Sequence, residues 1–217
     1  MSFYEKLQHA TQAEQMDLQS IPIIRKAMLG KVTRNQYIAF LTQAYHHVKH
    51  TVPLLMACGS RIPDNKEWLL AAIDHYIEEE IGHDEWILND IEACGANDEA
   101  VRHGSPAPAT DAMVAYAYDA IEHGNPIGFF GMVHVLEDTS IKLATHAATV
   151  LQRSLGLPEQ AFTYLSSHGL LDLEHVDFFR NLVNRLDMDE DKACLVDCAK
   201  RVFRLYGDIF RTLESVQ

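Results

Sequence analysis

The chain has 217 residues, 18 Lys and Arg against 31 Asp and Glu, a formal charge of −13 at pH 7, and 47% hydrophobic and 9% aromatic residues. That length suits one large domain or two small ones, and is ample for a core that needs no disulfide or metal staples. The acidic balance argues against nucleic acid or an anionic membrane as the main partner, because both demand basic patches.

Apolar residues recur at three- and four-residue spacing along nearly the whole chain, and alternating strand patterns are almost absent. The spacing predicts a first helix over 3–18 and a short one from Pro22 to about Gly30. Thr33 followed by Gln36 is a capping-box signature. It opens a predicted long helix to about Cys58, kinked at Pro53, which has no backbone N–H to donate. Asp64 and Glu67 give a second cap signal for a helix ending at Gly95. Residues 103–110, HGSPAPAT, form the clearest loop, and further helices are predicted over 111–123, 126–154, 158–168, 170–186 and 189–215. No repeat, low-complexity tract or long linker interrupts them. The expected architecture is a single all-α domain over 1–217, a bundle of seven to nine helices. Such bundles build ligand and metal sites on the facing surfaces of their helices. No apolar run approaches the ~20 residues of a membrane span. The N-terminal MSFYEKLQHATQAEQ lacks the basic and apolar regions of a secretory leader, so a cytoplasmic protein is expected.

Cys58, Cys94, Cys194 and Cys198 match no paired CxxC zinc spacing and read as small buried apolar groups. The 12 histidines direct attention to metal ligation and proton transfer. In HYIEEEIGHDEW, Glu80 and His83 are three apart and share a helix face, the Glu-x-x-His spacing of di-iron bundles. Glu79, four before His83, is the geometric alternative, and the same acidic run also reads as a solvated surface. In GFFGMVHVLEDTS, Glu137 sits in a strongly apolar stretch, where an ionised carboxylate is costly unless paired or metal-bound. A salt-bridged core acid and a metal ligand both fit it. His134 shares its face and reads as a hydrogen-bonded core histidine, and Asp138 reads as exposed. In SSHGLLDLEHVDFF, His168, Asp172 and His175 are spaced i, i+4, i+7, and on a continuous helix project to one side as a compact half-site. Alternatively His168 closes a helix at Gly169 and Asp172 caps the next. Taken together, three carboxylates and three imidazoles without thiolate suit iron or manganese, and the carboxylates balance much of the charge of two divalent ions. On the 34–58 helix, Phe40, Gln43, His47, His50 and Leu54 lie along one broad face. His47 and His50 are candidates to touch substrate or ordered water, against the plainer reading of surface histidines.

The order Glu-x-x-His, a lone helical Glu, then His-x3-Asp-x2-His, with GMVHVLEDTS and YHHVKHTVPLL, resembles the haem-oxygenase-like di-iron oxidases and oxygenases. This group is also described as iron-containing redox enzymes or TenA/PqqC-like proteins. The resemblance covers most of the chain. It implies a haem-oxygenase-like bundle with a central pocket lined by the 34–58 helix. It also implies that Glu80, His83, Glu137, His168, Asp172 and His175 bind two iron ions, or manganese, and activate dioxygen to oxidise a small organic substrate. Some members place the first glutamate seven before the histidine, and Tyr76 stands there in this chain. TenA-type thiaminases use a cysteine on the helix matching 126–154, which holds none here. Haem oxygenases hold haem through an N-terminal histidine, for which only His9 is available, and its surroundings match poorly. The competing readings are a metal-independent TenA/PqqC-like enzyme, using the same acids and histidines as acid–base groups, and a small-molecule-binding or regulatory protein. A homodimer through an apolar face is compatible with the bundle.

Overall fold

The first helix, α1 (Phe3–Ser20), begins at Ser2, whose hydroxyl accepts the Glu5 N–H while the Glu5 carboxylate accepts the Ser2 N–H at 2.7 Å. This reciprocal box satisfies two donors that a helix start leaves open. The same device, expected at Thr33 and Gln36, opens α3: Thr33 Oγ1 accepts the Gln36 N–H at 3.1 Å, and Gln36 Oε1 accepts the Thr33 N–H at 3.0 Å. The structure, a computed structural model, describes residues 1–216 and the side chains of all of them except 168–175. Among the described residues are eleven α-helices and no strand. After α1 come α2 (Pro22–Met28), α3 (Arg34–Val48), α4 (Thr51–Gly59), α5 (Leu70–Glu80), α6 (His83–Ala93) and α7 (Asp98–Arg102). Then follow α8 (Pro108–His123), α9 (Phe130–Leu155), α10 (Thr163–Asn184) and α11 (Asp189–Leu213). Short 3-10 turns at Asp64–Leu69, Pro126–Phe129 and Glu159–Phe162 lead into α5, α9 and α10.

The helix count exceeds the expected seven to nine for local reasons. The predicted 34–58 helix breaks at Lys49–His50 into α3 and α4. Pro53 then falls in the first turn of α4, where its missing N–H leaves no intrahelical bond unmade. The predicted 64–95 helix also divides, because Ile81 is extended and Gly82 takes φ +90°, a left-handed conformation suited to glycine. The cap expected from Asp64 does not form, since Pro63 occupies that position without a side-chain bond. Asn97 caps an additional short helix, α7, through Ala100 N–H. In the other direction, one element, α10, stands where two were predicted.

Helix α9 is the central element and packs against α10, α11 and α2, while α3 pairs with α6 and α4 with α5. It comes close to α11 at Gly131, where a Cβ would stand 2.5 Å from Leu195 O and 2.7 Å from Ala199 N. Two buried acids tie distant segments together. Asp90 of α6, 0% exposed, accepts the backbone N–H groups of Thr163 (3.1 Å) and Tyr164 (2.9 Å), capping α10 from a neighbouring helix. Asp191 pairs with Lys66 and accepts from Asn125 Nδ2 at 2.7 Å. Three of the four cysteines are buried and Cys194 is half-buried, and all are free thiols. Burial pushes the Cys58 and Cys94 thiols up to about 12 and about 11. No helix among the described residues is long and apolar enough to cross a membrane.

Candidate functional site

A cavity of about 170 Å³ lies among α2, α3, α4, α5, α9, α10 and α11. An engineered cavity of ~150 Å³ is enough to hold benzene, so a small organic ligand fits. One face of α9 runs along it through Met132, Leu136, Glu137, Ser140, Leu143 and Ala147, the three- and four-residue spacing of a single helical stripe. Helix α2 adds Ile23, Ile24 and Met28 at one side. The wall is mostly apolar, and no cysteine, lysine or arginine lines it among the described residues.

Two carboxylates interrupt this surface. Glu80 reaches it from the last residue of α5 and Glu137 from α9. His83 stands behind Glu80, 2% exposed, with Nδ1 3.2 Å from Glu80 Oε2 and its ring 4.1 Å from that of Trp86. Sequence spacing placed this pair on one helix face. In the structure the two residues belong to different helices, and the left-handed Gly82 brings the imidazole back onto the carboxylate. Glu79 turns toward His75, 3.5 Å away, so Glu80 rather than Glu79 is on the cavity wall. The remaining residues of the predicted ligand set, His168, Asp172 and His175, lie outside the described residues. Among those described, no group of three or more His, Cys, Asp or Glu is arranged to hold a metal. The described part of the set is nevertheless of one chemistry, oxygen and imidazole donors at a cavity without thiolate. That combination fits iron or manganese.

The two histidines singled out on the 34–58 stretch separate. His47 is buried and lines the cavity, its ring edge-on to Tyr206 of α11 at 5.8 Å. His50 faces away, with Nδ1 3.2 Å from the Tyr118 hydroxyl of α8, and is not on the cavity wall. The break at Lys49–His50 ends the helical register on which the shared face depended. Burial and the neighbouring Lys49 hold the His50 imidazole below its ordinary value. Phe40 and Leu54 line the cavity, whereas Gln43 accepts from Ala107 N–H (2.9 Å) and the Thr110 hydroxyl (2.6 Å) at the start of α8.

His134 is a core histidine, stacked on Phe179 at 5.7 Å, and burial pushes it down to about 4, so it is neutral at pH 7. Asp138, read as exposed, is 8% exposed. It accepts from Gln15 of α1 and pairs with Lys142 at 2.8 Å, anchoring α1 to α9. A residue beside a ligand candidate was thus buried by a helix more than a hundred residues away in sequence. Sequence reasoning also passed over Tyr206, Tyr164 and Ser140 as cavity residues. Tyr76, noted only as a departure from the family pattern, lies one turn before Glu80 on the same wall. Its spacing from Glu80 was the available signal. His9, the only candidate haem ligand, is exposed on α1 and does not line the cavity.

A profile of the family described as iron-containing redox enzymes matches residues 38–207. A comparison with curated proteins finds no match. Among solved structures, a domain of unknown function with a heme oxygenase-like fold from Shewanella denitrificans is 24% identical, with a TM-score of 0.88 over 99% of this chain and 92% of that one. A TenA homologue from Pseudomonas syringae is 10% identical, with a TM-score of 0.81 over 99% and 93% of the two chains. Heme oxygenase-1 from Synechocystis, in complex with heme, is 13% identical, with a TM-score of 0.77 over 99% and 93%. These likenesses show a heme oxygenase-like all-α fold.

Proposed function

The chain belongs to the iron-containing redox enzyme family, and from that premise we propose that it is a non-haem oxidoreductase that oxidises a small organic substrate with dioxygen. It would hold two iron ions, with manganese the alternative metal. The observation that carries this reading is the pair Glu80 and Glu137 on one largely apolar cavity wall, with His83 bonded to Glu80. Ionised carboxylates in such a wall are costly unless they pair with a cation or a donor. Glu80, His83 and Glu137 would hold the metal together with His168, Asp172 and His175. Bound iron supplies the redox chemistry that protein side chains lack.

The chain's own residues do the rest. The His83 imidazole, buried against Trp86, fixes the orientation of the Glu80 carboxylate, as hydrogen-bonded partners do around ligating groups. The apolar stripe of α9 and the α2 wall exclude water from the substrate. His47, held edge-on by Tyr206, presents an imidazole to the substrate space. Four free thiols accord with a cytoplasmic setting.

The test is iron content after anaerobic Fe(II) loading, followed by an optical spectrum on mixing with dioxygen. About two irons per chain are expected, as for di-iron bundles, and markedly less in Glu137→Ala and in His175→Ala. Wild-type iron content in both variants would overturn the assignment. A metal-independent enzyme or binding protein is the second reading, favoured by the likeness to the TenA homologue. A folded wild-type chain that retains no iron would select it.

A further inference from the structure

Charge is spread unevenly over this acidic chain. Residues 18–63 contain six Lys and Arg and no Asp or Glu, and residues 139–158 contain Lys142 and Arg153 and again no acid. Helix α2 and the C-terminal half of α9 bring parts of these two stretches together. A Cβ on Gly30 would stand 2.9 Å from Val150 Cγ1 and 3.0 Å from Ser154 Cβ, and His146 Nε2 lies 3.2 Å from Met28 O. Arg25, Lys26 and Lys31, on α2 and the turn after it, and Arg153 of α9 are all exposed. Their side chains make no salt bridge or hydrogen bond among the described residues. Elsewhere exposed arginines are matched to acids: Arg102 pairs with Glu85, Arg204 with Glu14 and Arg211 with Asp17. Between Lys26 and Lys31 in the chain stands Leu29, 64% exposed.

Unpaired cations beside an exposed leucine combine the two sources of interfacial binding, attraction to anionic headgroups and burial of an apolar side chain. The whole-chain charge of −13 disfavours an anionic surface only where the acids face it. A domain of this length is about 40 Å across, and charges more than a Debye length of about 8 Å away are largely screened at physiological salt. The local face therefore decides the contact. An acidic protein would account for the cations alone, whereas a bilayer would also take up Leu29. The reverse side of α2 points the same way: Ile23, Ile24 and Met28 line the apolar cavity, so a bilayer against the outer side would stand about one helix diameter, ~10 Å, from it. We propose that this α2–α9 face docks the protein peripherally on an anionic lipid surface. Arg25, Lys26, Lys31 and Arg153 meet the headgroups, and Leu29 enters the boundary beneath them. The proposal does not depend on a metal.

The experiment is flotation of the full chain with vesicles of phosphatidylcholine alone and of phosphatidylcholine with roughly one-third phosphatidylglycerol. Wild type is expected to partition about tenfold or more in favour of the anionic vesicles at about 50 mM salt, and to lose that preference at about 500 mM. Lys26→Gln with Lys31→Gln should weaken partitioning about 25-fold, at about fivefold for each charge removed. Leu29→Ser should weaken it about fivefold through lost apolar burial. All these side chains are exposed, so the variants should unfold at the wild-type temperature. Lys6→Gln with Arg201→Gln makes the same charge change outside the patch and should move partitioning by less than about twofold. No binding to anionic vesicles at low salt, equal binding to both compositions, or an equal loss in the Lys6 and Arg201 variant would overturn the proposal. So would unchanged partitioning in Leu29→Ser together with equally tight binding to soluble polyglutamate, which would assign the face to an acidic protein instead.

Discussion

Replacing Gly131 by alanine tests how α9 is seated, and with it the wall that carries Glu137. An added Cβ would lie 2.5 Å from Leu195 O, 2.7 Å from Ala199 N and 3.0 Å from Cys198 Cβ, all on α11. The first two are backbone atoms of a helix and cannot rotate away. Ordinary carbon–oxygen contact is about 3.5 Å, so α9 and α11 must separate by close to 1 Å at this point. Overpacking of this kind costs about 1–3 kcal/mol, and the two contacts to rigid backbone place Gly131→Ala at the upper end. The gain in helix propensity returns about 1 kcal/mol, leaving a net loss of about 2 kcal/mol. For a chain of this length each kcal/mol moves Tm by about 2–4 °C, so thermal unfolding followed by circular dichroism should show a fall of about 4–8 °C. The internal control is Gly59→Ala at the end of α4, where the nearest atom to an added Cβ is Ile73 Cγ2 at 3.5 Å, an ordinary contact. Its Tm should hold or rise slightly. Equal effects of the two substitutions, or an unchanged Tm in Gly131→Ala, would refute the claim that α9 and α11 meet backbone to backbone.

Two buried titratable groups should shape the pH dependence of stability with opposite signs. Burial raises the Asp90 carboxyl to about 6 from 3.8, so the folded state holds its proton longer than the unfolded state, and Asp90's contribution declines as pH rises from about 4 to about 6. Urea unfolding of Asp90→Asn, which removes the charge and keeps one acceptor for the α10 amides, should show a penalty that is largest near pH 4 and shrinks toward pH 7. A pH-independent penalty would contradict it. His134 runs the other way. Its folded value of about 4 lies below 6.5, so its contribution is complete above pH 6.5 and is lost as pH falls toward 4. His134→Phe should flatten that acid-side loss, and the His134 imidazole proton should titrate near pH 4 by NMR; a midpoint near 6.5 would show that the ring is not sealed in the core.

The helical class and the Thr33 cap were legible in the sequence, because each depends on residues within a turn of one another, whereas Glu80 and His83 meet across the break at Gly82 and not on one helix face. Periodicity of three and four states which residues share a side, and a capping box needs only four consecutive positions. The same locality explains the misplaced boundaries. The predicted helix ending at Gly95 runs through Gly82, yet the left-handed φ of that glycine divides two helices, and the Pro53 kink became a break three residues earlier. What the sequence could not say was which polar side chains packing would bury. Asp138 was turned inward by Gln15 of α1, His50 was drawn to Tyr118 of α8, and Asp90 was spent on the amides of α10. The cavity is in the same position: α2, α3, α9 and α11 leave it between them, and no one of them encodes its volume. Local hydrogen bonds and helix spacing are properties of short stretches, whereas burial is decided by whichever distant helix covers a face, and that is settled only when the chain closes on itself.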